Sequence, residues 1–188
     1  GAGVAYERKG RHVWDTNVVP DVRTLGLFAS KKRGAGGSNI QIELAENSMA
    51  VHISEFPVGT YKKAHRHGPG AHVVIIGGEG YSLMWPQGEP MQVFPWKYGS
   101  VVVPPNMWFH QHFNTGATPA RYLAIRWGAR KYARAVGHAD GGTDVSIKDG
   151  GHQIEYLDED PKVREMFEEA LAKNGVKSRM DDVFKIAS

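Results

Sequence analysis

Cysteine is absent from the 188 residues of this chain. Its absence excludes disulfide scaffolds, cysteine zinc sites, iron–sulfur clusters and thiol nucleophiles. A run of 18 apolar residues is also missing, which excludes a membrane-spanning helix. The chain begins with Gly1-Ala2-Gly3 and no Met, which we interpret as a processing remnant, and no secretion signal is visible. These features together lead us to expect a cytoplasmic protein.

The chain also has little excess charge of either sign. There are 23 Lys and Arg residues against 20 Asp and Glu, a net charge of +3, and neither a basic domain nor a helix-turn-helix segment is visible. We therefore expect no nucleic acid and no membrane among the partners. Glycine, with 23 residues, and proline, with 10, are in contrast abundant. That abundance is typical of a turn-rich β protein.

The central part of the chain has the period of two that β-strands require. Apolar and polar side chains alternate in short runs between residues 40 and 127, and Gly, Pro, Asn or Ser bounds each run. Many short strands at this spacing predict an all-β sandwich or barrel, which we assign to residues 39–137. Residues 1–38 are then an N-terminal extension.

Residues 138–188 form a C-terminal extension of different character. Asp160 followed by Pro161 is typical of a helix start, and apolar residues then recur at helical spacing until Asn174-Gly175. The pattern predicts an amphipathic helix over 161–174. Its apolar face packs either on its own barrel or on a second copy of the chain, and the sequence does not separate the two.

A basic, glycine-rich stretch at residues 31–38 precedes the first predicted strand of the barrel. We expect a solvated surface turn here. An anion-binding or lid loop is the alternative, but no helix pattern follows the glycines, as phosphate binding at a helix N-terminus would require.

Histidine is the residue type that points to chemistry, with nine copies in the chain. His65 and His67 are two apart and therefore project from the same side of a strand. A Gly68-Pro69-Gly70 turn follows, and we expect His72 to return beside them. About forty residues later, His110 and His112 form a second pair of the same spacing.

Imidazoles that converge on rigid strands form a preorganised metal site, because neutral imidazole is a common ligand of divalent transition metals. Unmetallated histidines buried against one another would instead lose their hydration for little gain. A cofactor of this kind is therefore predicted: a divalent metal, with Fe(II) first and Mn, Ni, Zn or Co as alternatives. Cu is a further ion that imidazole ligands do not exclude.

The two histidine stretches resemble the paired motifs of the cupin superfamily. Gly59, His65 and His67 match the first motif. The second motif is matched by Gly99, Pro105, His110 and Asn114, with Met107 where glycine is usual. The motifs and their strands cover about half of the chain. The resemblance implies a cupin fold, which is a double-stranded β-helix (jelly-roll) barrel, and a homodimer.

The sequence departs from the cupin pattern where a glutamate ligand is usual. One alignment places His72 there, and the site then has four ligands: His65, His67, His72 and His110. The other places Ala71 there and leaves three histidines, with His72 beside the metal or pointing elsewhere. We favour the four-histidine site, because a bulge after Gly70 can reset the register.

Several local stretches are similar to gentisate-type ring-cleaving dioxygenases, among them His65-Arg66-His67, the Gly78–Tyr81 turn and His110-Gln111-His112. That similarity implies Fe(II), O₂ as a co-substrate and a small phenolic or enolisable carboxylate substrate. His112 is then a candidate acid or base, and Arg126 a candidate partner of the substrate carboxylate. Two alternatives stay open: an oxygen-independent lyase, decarboxylase or isomerase with His112 or Tyr61 moving protons, and a non-catalytic ligand-binding cupin.

Overall fold

The computed structural model describes residues 4–8, 10–68, 70–129, 131–132 and 142–187. The boundary predicted at 137/138 falls outside these residues. Two helices and thirteen strands are present in the described part, and neither helix has the length and apolar character needed to cross a membrane. The strands are β1 (Val4–Arg8), β2 (Arg11–Thr16), β3 (Phe28–Ala29), β4 (Ser38–Leu44), β5 (Met49–Phe56), β6 (Ala64–His65), β7 (His72–Gly77), β8 (Glu79–Trp85), β9 (Gln92–Lys97), β10 (Val101–Val102), β11 (Phe109–Asn114), β12 (Ala120–Trp127) and β13 (Gln153–Ile154). The helices are α1 (Pro161–Lys173) and α2 (Met180–Ala187).

The strands form two sheets that face each other. Sheet 1 has the order β1-β2-β4-β5-β12-β7-β10, with β3 on β4, and sheet 2 has the order β13-β6-β11-β8-β9. From β5 to β12 the chain crosses repeatedly between them, and the strands of this central part pair antiparallel. This is the strand order of a double-stranded jelly roll. The predicted all-β jelly-roll barrel with a C-terminal helix is therefore confirmed.

Three apolar clusters show which face of each sheet is covered. The first lies between the sheets and includes Val73 and Tyr122 of sheet 1 with Met84 and Trp96 of sheet 2. A second covers the outer face of sheet 1, where the segment before β3 packs on β4 and β5. The third covers the outer face of sheet 2 with the C-terminal helices. Side chains that alternate along a strand therefore have two distinct surroundings.

Helix α1 begins and ends almost where the sequence predicts. The side chain of Asp160 accepts a hydrogen bond from the backbone N–H of Lys162, with Pro161 in the first turn. Its buried residues pack on Tyr61 and Phe113 of the same chain. The ring centroids of Phe167 and Tyr61, for example, are 5.0 Å apart. Of the two alternatives for its apolar face, the helix takes its own barrel.

The basic loop at 31–38 is not a solvated turn, so that prediction is wrong. Arg33 is 2.7 Å from the carboxylate of Asp144 and 2.7 Å from Gln153 Oε1. Arg11 and Lys32 reach the same carboxylate at 3.2 and 3.3 Å. Burial raises the pKa of Asp144, but the three cations outweigh it and lower the pKa below its usual value. These ion pairs and the hydrogen bond to Gln153 hold the loop against the C-terminal segment.

Glu159 is a half-buried carboxylate on the outer side of sheet 2. Burial raises its pKa to about 7, although hydrogen bonds from the Tyr61 hydroxyl and the Gln111 amide act in the opposite direction. The usual pKa is 4.5. The folded protein therefore holds a proton here that the unfolded chain has released between these two values.

We predict from this that the stability of the protein falls as pH rises from 4.5 through about 7. The loss from this group is at most about 3 kcal/mol, at 1.36 kcal/mol per pKa unit. Glu159→Gln should remove this pH dependence, so that the free energy of unfolding of the variant rises relative to that of the wild type as pH rises. Urea unfolding at pH 5 and pH 8 measures this, with Glu169→Gln, an exposed acid of α1, as control. An equal pH dependence of variant and wild type would contradict the assignment.

Candidate metal centre

Three histidines meet on the inner face of sheet 2. His65 lies on β6, His67 follows it, and His110 lies on β11 directly opposite His65 in the register of the two strands. Each side chain offers one nitrogen, and these three atoms lie within 4.8 Å of one another. The sequence positions 65 and 110 are far apart, so strand pairing is what brings the imidazoles together.

The orientation of the rings leaves nitrogen lone pairs for a ligand. The ring centroids are 4.2 Å apart for His65 and His110, and 4.9 Å apart for His67 and His110. His110 Nδ1 lies 3.1 Å from the carbonyl of Trp108, and His65 Nδ1 lies 3.4 Å from that of Lys63. A backbone carbonyl can only accept, so these contacts place the proton on Nδ1 and leave Nε2 as the electron-pair donor.

The loops that carry the two histidine motifs touch because two glycines lack side chains. A Cβ on Gly68 would be 2.3 Å from Asn106 Oδ1, and one on Gly70 would be 2.2 Å from the carbonyl oxygen of Pro104. Met107, in the same turn, donates its N–H to the carbonyl of His67. It has φ of 60°, in the left-handed region that favours the glycine usual at this motif position.

Burial keeps the imidazoles neutral, which is the form that binds metals. Burial lowers the pKa of His65 and of His110 well below the usual value. Arg33 lowers both further, since its positive charge opposes a second charge nearby. The three-histidine group contains no carboxylate.

His72 is the predicted ligand that the structure does not bring to the group. It begins β7 in sheet 1, opposite Ile125 of β12, and its side chain is exposed. The expected hairpin return does not occur, because the chain crosses to the other sheet after Gly70. The arrangement is that of the three-histidine alternative, and the preference for a four-histidine site is corrected accordingly.

His112 faces the same interior as His110, as the spacing of two predicts. The ring centroids of the two residues are 5.8 Å apart. His112 Nδ1 is 2.7 Å from Ser82 Oγ, which in turn accepts a hydrogen bond from the indole of Trp96 at 3.0 Å. Burial lowers the pKa of His112 well below the usual value. Its catalytic role stays a prediction.

A buried lysine and tyrosine that the sequence did not suggest lie across from His112. Lys62 Nζ donates to Tyr122 Oη at 2.9 Å and to Ser54 Oγ at 2.6 Å. The rings of Tyr122 and His112 are 5.7 Å apart between centroids. Burial would raise the pKa of Tyr122, but the charge and hydrogen bond of Lys62 outweigh burial and lower it. A buried phenol whose pKa is lowered by a neighbouring cation is a candidate for proton transfer.

Arg126 lies on the same face of β12 as Tyr122, since four residues separate them. It is half-buried and donates to Gln41 Oε1 at 3.3 Å. Burial and, next, the charge of Arg126 lower the pKa of His52 to about 3. Arg126 therefore faces the interior, and its predicted role toward a substrate carboxylate stays a prediction.

Two other residues singled out in the sequence lie elsewhere. Tyr61 is on the outer side of sheet 2, in the cluster with α1, and its hydroxyl donates to Glu159. It is therefore separated from the histidines and cannot move protons there. Asn114, the last residue of the second motif, donates to the carbonyls of Pro57 and Thr118 at 3.2 and 3.0 Å and thus holds two loops.

The residues present fit a divalent metal. Imidazoles are ligands that Fe, Mn, Ni, Co and Zn share. Burial keeps those of His65 and His110 neutral, and a backbone carbonyl fixes the tautomer of each. Three ligands leave coordination positions open, which is the arrangement of catalytic rather than structural sites. The donor set does not select one of these ions.

Comparisons with known proteins give only distant likenesses. No family model matches the sequence, and no curated protein matches it. Among solved structures, the formate complex of Lactobacillus farciminis oxalate decarboxylase has 18% identity and a TM-score of 0.45, and covers 54% of this chain. A variant of the Bacillus subtilis enzyme has 17% identity and a TM-score of 0.46, and covers 56% of this chain. The likeness extends over 30% and 29% of those chains.

We predict that His110→Ala abolishes tight metal binding, because it removes one of three ligands, whereas His72→Ala leaves the metal content unchanged. Elemental analysis of both variants, purified without added metal and then after reloading, measures this. The exposed His72 makes the matched control. Loss of metal from the His72 variant would support the four-histidine site after all. Retention of metal by the His110 variant would contradict the assignment of the metal centre.

Proposed function

We propose that the protein is a metal-dependent enzyme that acts on a small carboxylate inside the barrel. The observation that carries this proposal is the buried three-histidine group. A divalent ion held there would supply the positive charge that lowers the pKa of a bound carboxylate, enolate or hydroxyketone.

The charges around the histidines support an anionic substrate. Arg33 and Lys62 lower the pKa values of the buried imidazoles through their charge, and Arg126 does the same to His52. Lys62 is 4% exposed, and its ammonium is hydrogen-bonded only to hydroxyl groups in the described part of the chain. A substrate carboxylate would place negative charge beside the Lys62 ammonium.

The Lys62–Tyr122 pair favours proton transfer over oxygen chemistry, so we place the oxygen-independent lyase or decarboxylase first. In a decarboxylation the C–C bond to the carboxylate breaks, CO₂ leaves, and the carbon takes up a proton. Tyr122 Oη would donate that proton, and Lys62 would hold the phenolate by charge and hydrogen bond. His112, in contact with the Tyr122 ring, would orient it.

The second candidate is the Fe(II) dioxygenase that acts on a phenolic or enolisable carboxylate. A metal with three protein ligands has room for both a chelating substrate and O₂, which supports this candidate. Oxygen uptake separates the two classes. Protein loaded in turn with Mn, Fe, Co, Ni and Zn would be assayed on oxalate, 2-hydroxy acids, gentisate, catechols and β-diketones, under air and under nitrogen.

We expect turnover of a carboxylate substrate under nitrogen at the rate found under air. Turnover that depends on O₂, with stoichiometric O₂ uptake, would contradict the lyase and support the dioxygenase. If the metal-loaded protein turns over none of these compounds under either gas, that result would contradict an enzymatic function and favour a non-catalytic ligand-binding cupin.

We also predict that Tyr122→Phe lowers kcat by about 10²- to 10⁴-fold, the range for loss of a general acid, with the metal content unchanged. The measurement is kcat and KM on the compound that turns over, together with elemental analysis. Tyr98→Phe, at a tyrosine that is 67% exposed, is the control. Unchanged kcat in Tyr122→Phe would remove the residue from the mechanism.

The homodimer and the cytoplasmic location stay predictions. Exposed apolar side chains on and beside the two edge strands are compatible with a contact between copies, among them Val93 and Phe94 near β9 and Val101 on β10. Sedimentation velocity would measure the oligomeric state.

A further inference from the structure

A cavity lies outside the barrel, between the outer face of sheet 2 and the C-terminal segment. Its volume is about 460 Å³. Trp85 and Gln111 line it from the sheet, and Glu159, Val163 and Met166 line it from the C-terminal segment. The volume is sufficient for a small organic molecule, and the metal centre lies on the other face of the sheet.

The cavity contains a carboxylate without a cationic partner in the described part of the chain. Glu159 accepts hydrogen bonds from the Tyr61 hydroxyl and from Gln111 Nε2 at 3.1 Å, and neither group carries positive charge. Arg164 is the cation that acts on it electrostatically, but the guanidinium makes its ion pairs with Glu168 and Asp181. A half-buried carboxylate of this kind is stabilised by a cation beside it.

Gln111 adds an independent observation that points to a ligand. The side chain is 1% exposed, and among the described residues Oε1 has no hydrogen-bond partner. When Glu159 is ionised, as at pH 8, the amide cannot simply be turned over, because Nε2 donates to the carboxylate and Oε1 in its place would be repelled. Buried amide oxygens are rarely left without a donor. The cavity thus presents two acceptors that both require N–H groups.

The rest of the wall selects the kind of molecule that carries those N–H groups. Trp85, Met91, Val163 and Met166 give the cavity apolar sides. Glu89, Asp158 and Asp160 also line it, with Lys162 as the cation of the lining. Asp158 is paired with Lys148, and Glu89, Glu159 and Asp160 still outnumber Lys162. A bare metal ion would leave the apolar wall without contacts, and an anion would meet like charge. An indole face is also a favourable neighbour for an ammonium group.

We propose that this cavity binds a small organic ammonium ion, whose N–H groups donate to Glu159 and Gln111 and whose apolar body lies against Trp85. The site is separate from the metal centre. Gln111 stands between His110 and His112 in sequence, but strand alternation turns it to the outer face. This inference therefore does not depend on the proposed enzymatic activity.

The test uses 2-phenylethylammonium as the probe and the 188-residue chain at pH 8, with isothermal titration calorimetry as the readout. Two control compounds separate charge from apolar contact. The uncharged 2-phenylethanol has the same phenylethyl group, and Mg²⁺ has positive charge without an apolar group. We expect the ammonium compound to bind, and both others to bind at least about tenfold more weakly, the factor for one charge-assisted hydrogen bond. Glu159→Gln should weaken binding of the ammonium compound by a similar factor. Glu169→Gln, at an exposed acid of α1, should leave that binding unchanged.

A second variant protects the test against loss of folding. Met166→Trp fills the cavity and leaves every carboxylate in place, and circular dichroism establishes that the variant is folded. We expect it to abolish binding of the ammonium compound without a change in metal content. Equal binding of the alcohol, preferential binding of Mg²⁺, full binding by either cavity variant, or no binding of the ammonium compound at millimolar concentration would each overturn the proposal.

Discussion

The antiparallel pairing of β6 with β11 is the constraint on which the candidate metal centre depends. β6 has two residues, and in its register His65 lies opposite His110 on one side and opposite Gln153 on the other. The pairing places the imidazoles of His65 and His110 next to each other in the interior, with ring centroids 4.2 Å apart, where their unprotonated nitrogens have lost water. That loss is unfavourable unless a cation receives the lone pairs. The backbone thus stabilises a group that is complete only with a ligand.

Much of the barrel follows from local alternation, and the limit of such reasoning is reached at His72. Period-two runs and turn residues predicted the strands, and the spacing of two predicted that His65 and His67 act together. Alternation says which side of a strand a residue faces, but not which sheet the next strand joins. After Gly70 the chain crosses to sheet 1 instead of returning as a hairpin, so His72 ends on the outside. Helix α1, whose capping and period are both local, was predicted to within one residue.

The acid–base pair escaped prediction for a related reason. Lys62 is three residues before His65, so strict alternation would place the two on opposite faces. The backbone between them is not a regular strand, and Lys62 reaches across the interior to Ser54 and Tyr122 of sheet 1. Glu159 lies in the segment before α1, where the sequence has no hydrophobic periodicity that would predict which side chains are covered. Both groups acquire their chemistry from contacts distant in sequence, which composition and spacing do not contain.

A single strand, β11, explains why two regions of opposite charge lie so close together. His110 and His112 point between the sheets, toward Lys62 and the guanidinium groups, and Gln111 points outward to Glu159. One layer of backbone separates the Lys62 ammonium from the Glu159 carboxylate, so the two do not pair with each other. Lys62 is buried and Glu159 is half-buried, so solvent screens neither charge fully. An anion suits the inner side and a cation the outer side for the same electrostatic reason.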